Sequence, residues 1–61
     1  MRTNKETLIE AAMFIEREAY CLKQSHTNAD GTWDDLDTIE EYMRENQLAH
    51  ELREIAQELS Q

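Results

Sequence analysis

The sequence predicts an all-α protein built as a helical hairpin. The 61 residues include no proline and only one glycine, so the chain lacks the reversals that a sheet of several strands requires. Two long segments carry apolar residues at spacings of three and four, and a single cluster of turn-forming residues separates them. We therefore predict helices over about residues 4–25 and 33–59, within one domain that spans residues 1–61.

The first helix has a clear start and a clear packing face. Thr3 and Glu6 have the spacing of a capping box, in which a hydroxyl and a carboxylate satisfy free N–H groups at the helix start. One face alternates large and small apolar residues, which lets a second helix approach closely. Its members are Leu8, Ala12, Ile15, Ala19 and Leu22.

The same helix carries more apolar side chains than one partner helix can cover. Ile9, Met13 and Tyr20 share one side, and Phe14 and Cys21 share another. The turn and the far end of the second helix are one possible cover, and a second protein molecule is the other. The number of large side chains on one helix favours a self-association surface.

Residues 25–31 are predicted to form the turn between the helices. Gly31 stands where a residue with positive φ is wanted. The second helix has two possible starts, because Thr32 with Asp35 and Asp34 with Asp37 both show capping spacing.

The second helix carries two apolar stripes that do not share a face. The first comprises Trp33, Leu36, Ile39 and Met43, and the second comprises Leu48, Leu52, Ile55 and Leu59. Their centres differ by roughly 140° around an ideal helix. Either the helix breaks near residues 45–47 and the chain is a three-helix monomer, or a continuous or kinked helix packs its first stripe against helix 1 and offers its second stripe to another chain.

We favour the second solution, a homodimer that forms a helix bundle. Leaving four large aliphatic side chains in water would forgo about 1.5–3 kcal/mol of stabilisation for each side chain. A chain of this length is only marginally stable, so a loss of that size would be serious. The predicted interaction residues are Ile9, Met13, Phe14, Tyr20, Leu48, Leu52, Ile55 and Leu59.

The charge distribution limits the partners. Fourteen acidic against six basic residues give a net charge of −8, which disfavours direct nucleic-acid binding through phosphates. The acidic face of the second helix comprises Asp34, Asp35, Asp37, Glu40, Glu41 and Glu45. These carboxylates could imitate phosphates and make the chain an acidic nucleic-acid mimic that inhibits a DNA- or RNA-handling protein. A solvated helix face is the more common outcome of such a charge run.

The loop also resembles a degenerate EF-hand. Over residues 26–37, the candidate calcium ligands are Asn28, Asp30, Asp34 and Asp37, with Gly31 at the sharp turn. His26 replaces the usual first aspartate and Asp37 replaces the usual bidentate glutamate, so we expect no binding at physiological calcium and no cofactor. Cys21, His26 and His50 form no close pair of the kind that binds zinc.

We expect neither catalysis nor membrane insertion. Two helices provide no obvious cleft to exclude water, so the chain is not predicted to be an enzyme. Cys21 cannot form an internal disulfide, which suggests a reducing, cytoplasmic location. The longest apolar run, residues 11–15, is too short for a membrane span.

In size and character the whole chain resembles the small, acidic, orphan early-region proteins of temperate bacteriophages of the lambdoid type. The likeness lies in the short start Met1-Arg2-Thr3-Asn4-Lys5, two amphipathic helices, net negative charge and no evident targeting signal. It implies a host-directed or developmental role through protein contacts and assigns no functional residue. The expected function is that of a protein-interaction module.

Overall fold

The computed structural model describes residues 2–59 and contains two α-helices. Helix α1 spans Asn4–His26, helix α2 spans Leu36–Leu59, and residues 27–35 connect them. The helices pack against each other along their length as an antiparallel hairpin. The predicted all-α hairpin is confirmed. Helix α2 continues through residues 45–47 without a break, so the three-helix alternative is wrong.

Helix α1 is capped at both ends by its own residues. The Thr3 hydroxyl accepts a hydrogen bond from the Glu6 backbone N–H at 3.1 Å, as predicted for a cap at this position. At the other end, the Thr27 N–H donates to the Lys23 carbonyl, and His26 Nδ1 donates to the Leu22 carbonyl. The Lys23 carbonyl is one of the four that the end of a helix leaves free.

The connection is a compact turn held by its polar residues. The Asn28 N–H donates to the Thr32 carbonyl at 2.7 Å, and the Gly31 N–H donates to the Asn28 carbonyl at 2.9 Å. The Asp30 carboxylate accepts from both the backbone N–H and the hydroxyl of Thr32. Gly31 adopts φ = +88°, which confirms the predicted positive φ.

Helix α2 begins at Leu36, three residues later than predicted. Thr32 is held in the turn by Asp30 and cannot cap a helix, whereas the Asp35 carbonyl accepts from the Ile39 N–H at 3.0 Å. Trp33 precedes the helix and folds back over it. Its Nε1–H donates to the Thr38 hydroxyl at 2.9 Å, and its ring meets that of Tyr42 edge-on at 5.2 Å.

Four alanines form the seam between the helices. Ala12 and Ala19 of α1, together with Ala49 and Ala56 of α2, are the fully buried hydrophobic residues among residues 2–59. Each pair is separated by seven residues, which is about two helical turns, so its members lie on one side of their helix. The predicted packing face of α1 therefore contacts α2. In α2 the seam follows Ala49 and Ala56 rather than either predicted stripe.

The hairpin is long and thin. Its extents are 45 × 18 × 14 Å and its Cα radius of gyration is 14.1 Å, compared with about 10.5 Å for a compact domain of this length. It exposes 4913 Å², whereas a compact monomer of this size would expose about 4,100 Å². The chain therefore leaves about 800 Å² more in water than a globular fold would.

We expect Gly31→Ala to destabilise the hairpin by about 1 kcal/mol. The added methyl group would meet no atom within 4 Å, so the loss comes from the backbone conformation alone. Urea denaturation followed by circular dichroism measures it. Ala29→Gly is the control in the same turn. An unchanged unfolding midpoint for Gly31→Ala would show that the positive φ carries no penalty here.

Candidate protein-interaction site

Many large apolar side chains of the hairpin are exposed, while its fully buried hydrophobic positions within residues 2–59 are alanines. Eight large hydrophobic residues have exposed fractions of 47–73%. They are Met13, Phe14, Tyr20, Leu36, Met43, Leu48, Ile55 and Leu59. Exposed apolar surface of this extent is typical of proteins that bind another macromolecule.

An ion pair across the seam defines one face of the hairpin. Arg53 donates to Glu16 through two nitrogens, Nε at 2.9 Å and an Nη at 2.7 Å. Its hydrogen bond and positive charge hold the pKa of Glu16 below its ordinary value. Met13 and Tyr20 lie three before and four after Glu16, and therefore on the same side of α1. We call Met13, Glu16, Tyr20 and Arg53 the ion-pair face.

The opposite face carries the apolar residues of the second half of α2. Leu48 and Ile55 lie about 150° around the helix from Arg53, and Leu59 follows one turn later. Leu52 lies between this row and the seam and is half-buried. Phe14 of α1 lies about 150° around its helix from the seam alanines, on the outer side of α1, where the Arg17 guanidinium lies over its ring at 5.6 Å. We call Leu48, Leu52, Ile55 and Leu59 the leucine face.

Three carboxylates meet on the leucine-face side, nearer the loop. Glu45 is half-buried, and its Oε2 atom is shielded from solvent without a hydrogen-bond partner. Burial raises the pKa of Glu45, and the negative charges of Glu41 and Glu18 raise it further. Arg44 offsets part of this effect. The cluster joins a residue of α1 to two residues of α2, which the sequence analysis did not foresee.

Most of the predicted interaction residues are exposed. Six of the eight are among the large exposed hydrophobics, and the other two, Ile9 and Leu52, are half-buried. The stripe predicted to face helix 1 behaves differently, because its members Leu36 and Met43 are 73% and 65% exposed. The seven-residue spacing of Ala49 and Ala56 was the sequence signal that could have placed the seam.

The predicted acidic face does not form one uniform surface. Its exposed members are Asp34, Asp35, Asp37, Glu40 and Glu41. Glu45 instead turns toward α1 and is half-buried. The carboxylates of this segment therefore occupy more than one side of the connection and α2.

The loop residues considered as calcium ligands bond to one another. The Asp30 carboxylate accepts from Thr32, and these hydrogen bonds lower the pKa of Asp30. Asn28 donates its side-chain N–H to the Thr32 hydroxyl. Within residues 2–59, no group of three or more His, Cys, Asp or Glu side chains is arranged to hold a metal ion.

The remaining candidate ligands lie apart from any such group. Cys21 is exposed, and His50 Nε2 lies beside the Glu54 carboxylate one helical turn away.

Neither helix in the described part of the chain is long and apolar enough to cross a membrane. A shallow cavity of about 130 Å³ on the outer side of α1 is lined by Glu10, Met13, Phe14 and Arg17.

Comparison with known proteins returned no match among family models, curated proteins or solved structures.

We expect Glu45→Gln to stabilise the protein at neutral pH. Because the folded state raises the pKa of Glu45, the ionised carboxylate opposes folding above that pKa, and the penalty disappears as the group takes up a proton. Removing the repulsion from Glu41, one turn away, contributes about 0.2–0.5 kcal/mol. Thermal unfolding between pH 3 and pH 7 measures the gain, which should vanish at the acidic end.

Glu40→Gln is the matched control for this variant. Glu40 is exposed on the same helix and lies outside the cluster. An equal gain in stability from both substitutions, or a gain from Glu45→Gln that persists at low pH, would contradict the role assigned to the half-buried carboxylate of Glu45.

Proposed function

We propose that the chain is a non-enzymatic protein-interaction module that binds another protein through helix–helix contacts. One observation carries the proposal: the buried seam consists of alanines, while eight large hydrophobic side chains face the solvent. Each such side chain would gain about 1.5–3 kcal/mol on full burial. An apolar helix face of a partner supplies that burial.

The ion-pair face has the composition of a binding surface. Met13 and Tyr20 are 55% and 62% exposed and flank the Glu16–Arg53 pair. Methionine adapts its shape to a partner, and tyrosine combines a large apolar ring with a hydrogen-bonding hydroxyl. Apolar anchors beside a charged pair suit an amphipathic helix, whose polar edge can meet Glu16 or Arg53.

The cellular setting of the proposal comes from the resemblance to phage early-region proteins. This resemblance supports the proposal of a phage-type regulator that acts on a host protein in the host cytoplasm. The net charge of −8 fits this setting, because it disfavours direct binding to the abundant nucleic acids there.

A second candidate function is that of an acidic nucleic-acid mimic. The observation in its favour is the meeting of Glu18, Glu41 and Glu45, which concentrates negative charge next to the acidic connection. Such a surface would compete for a basic site on a DNA- or RNA-handling protein. Its affinity would depend strongly on salt, whereas apolar helix contacts would not.

Affinity capture from the host cell with three forms of the protein separates the two functions. The forms are the wild type, the double variant Met13→Asp/Tyr20→Asp, and the triple variant Asp35→Asn/Glu41→Gln/Glu45→Gln. We expect the double variant to lose the captured protein and the triple variant to keep it within a few-fold, because a pair of charges at the surface contributes only about 0.2–1 kcal/mol. A loss of more than about tenfold in the protein captured by the triple variant, with release of the captured protein at high salt, would favour the nucleic-acid mimic.

A further inference from the structure

The surplus surface of the hairpin matches one side of a protein–protein interface. The chain exposes about 800 Å² more than a compact monomer of its size. A stable interface of standard size buries about 800 Å² on each partner. The surplus is therefore comparable in size with the area that one partner of similar size would cover.

The leucine face is self-complementary. Its α2 residues Leu48, Leu52, Ile55 and Leu59 are spaced symmetrically about the midpoint between Leu52 and Ile55. A two-fold axis through that midpoint, perpendicular to the helices, sets Leu48 opposite the partner subunit's Leu59 and Leu52 opposite the partner subunit's Ile55. A two-fold interface requires this kind of self-matching surface.

The register of the hairpin fixes the height of this axis on α1. The Glu16–Arg53 ion pair sets residue 16 of α1 level with residue 53 of α2. Because the helices are antiparallel, Phe14 lies within about 3 Å of the height of Ile55 along the hairpin, on the outer side of α1. The distance of any residue of α1 from the axis can therefore be counted from residue 14.

The charge distribution selects the orientation of the two copies. Residues 30–45 contain seven acidic residues and one basic residue, a net charge of −6, and they lie at the loop end of the hairpin. A parallel arrangement would place both acidic ends side by side. The two-fold axis across the helices places them at opposite ends of the assembly, beyond the overlap of the leucine faces.

We propose that a second copy of this chain occupies the leucine face, with each helix antiparallel to its equivalent, to form a four-helix bundle. The ion-pair face then remains open for the protein partner. This inference deepens the proposed function, because it divides the apolar surface between self-association and partner binding. It also explains how a hairpin whose fully buried hydrophobic residues are alanines obtains a core of larger side chains.

Sedimentation of surface variants tests which face pairs. We expect a dimer at about 100 µM for the wild type and a monomer for Leu48→Asp and for Ile55→Asp, whose positions are about half exposed in the hairpin. The controls Tyr20→Asp and Met43→Asp place the same charge on other exposed sites and should leave the dimer intact. A monomeric wild type overturns the proposal, as does a dimer that only the controls dissociate.

Distance measurement between spin labels tests the orientation. The label is attached to Ala29→Cys in a Cys21→Ser background, because residue 29 lies in the connection. His26 is twelve residues beyond Phe14, or about 18 Å, so antiparallel copies hold their labels more than about 35 Å apart. Labels within about 20 Å would require the parallel arrangement and overturn the proposed one.

The same variants keep this inference separate from the proposed function. Loss of the dimer in Ile55→Asp with capture of the host protein retained supports both statements. A wild-type monomer that still loses its partner on Met13→Asp/Tyr20→Asp overturns the dimer alone. If the wild type is a dimer but captures no protein through the ion-pair face, the proposed function is overturned and the proposed dimer is retained.

Discussion

Replacing Ala12 with leucine is expected to lower the free energy of unfolding by about 1–3 kcal/mol. Ala12 is completely buried at the seam, where its methyl group allows the two helices to approach closely. A leucine adds three carbon atoms to a space that α2 already fills, so the helices must separate along their length. Ala49→Leu should act in the same way from the other helix. Urea denaturation followed by circular dichroism measures both losses.

Ala11→Leu provides the matched control. It adds the same atoms to the neighbouring residue, which is only half-buried and can extend its side chain toward solvent. Its unfolding midpoint should stay close to that of the wild type. Equal tolerance of leucine at residues 11 and 12 would show that alanine at the seam does not set the distance between the helices.

Replacing Leu52 with aspartate is expected to have the second large effect. Leu52 is half-buried beside the seam and also belongs to the leucine face, so the change removes apolar contact from the hairpin and from the dimer. Burial of such a side chain contributes about 1.5–3 kcal/mol, and a charge in its place adds a desolvation penalty. The variant should be monomeric, with a lowered melting temperature that no longer depends on protein concentration.

Thermal unfolding at several protein concentrations measures this change. The wild type should melt at higher temperature as its concentration rises, because association stabilises the folded state by mass action. Leu36→Asp is the control, since Leu36 is 73% exposed and an acidic residue in the first turn suits the helix dipole. A wild-type melting temperature that does not vary with concentration would contradict the expected dimer.

The first helix could be predicted from the sequence because its signals are local. Thr3 lies at the capping position, and the apolar residues from Leu8 to Leu22 repeat at helical spacing up to the turn. The glycine of the turn was equally predictable, since only residue 31 could adopt positive φ without strain. In each case one or two neighbouring residues decide the conformation.

The start of α2 and its packing face could not be predicted in the same way. Several residues had capping spacing, and the choice between them depended on Asp30 bonding to Thr32 within the folded turn. The seam depended on how closely two helices can approach, which favours alanine over the larger leucines and isoleucines. A hydrophobicity pattern gives greater weight to large side chains, and it therefore placed Leu36 and Met43 in a contact that the structure leaves open.

The candidate site was predictable in composition but not in arrangement. The sequence indicated that Phe14, Tyr20, Leu48 and Ile55 exceed what one hairpin can bury, and the structure shows all four exposed. Assigning them to separate sides of the hairpin required the register of the helices. That register is visible only in contacts between distant residues, such as Glu16 with Arg53.

The short connection between the helices also determines the order in which the hairpin can form. Contacts next to the turn, such as Lys23 over the ring of Tyr42, close a short loop, whereas those at the open end join residues near the two termini of the chain. Because loop closure costs more entropy as the loop lengthens, we expect the helices to pair from the turn outward. The leucine face lies toward the end that closes last. A second copy bound there would stabilise the part of the hairpin that is most prone to fray.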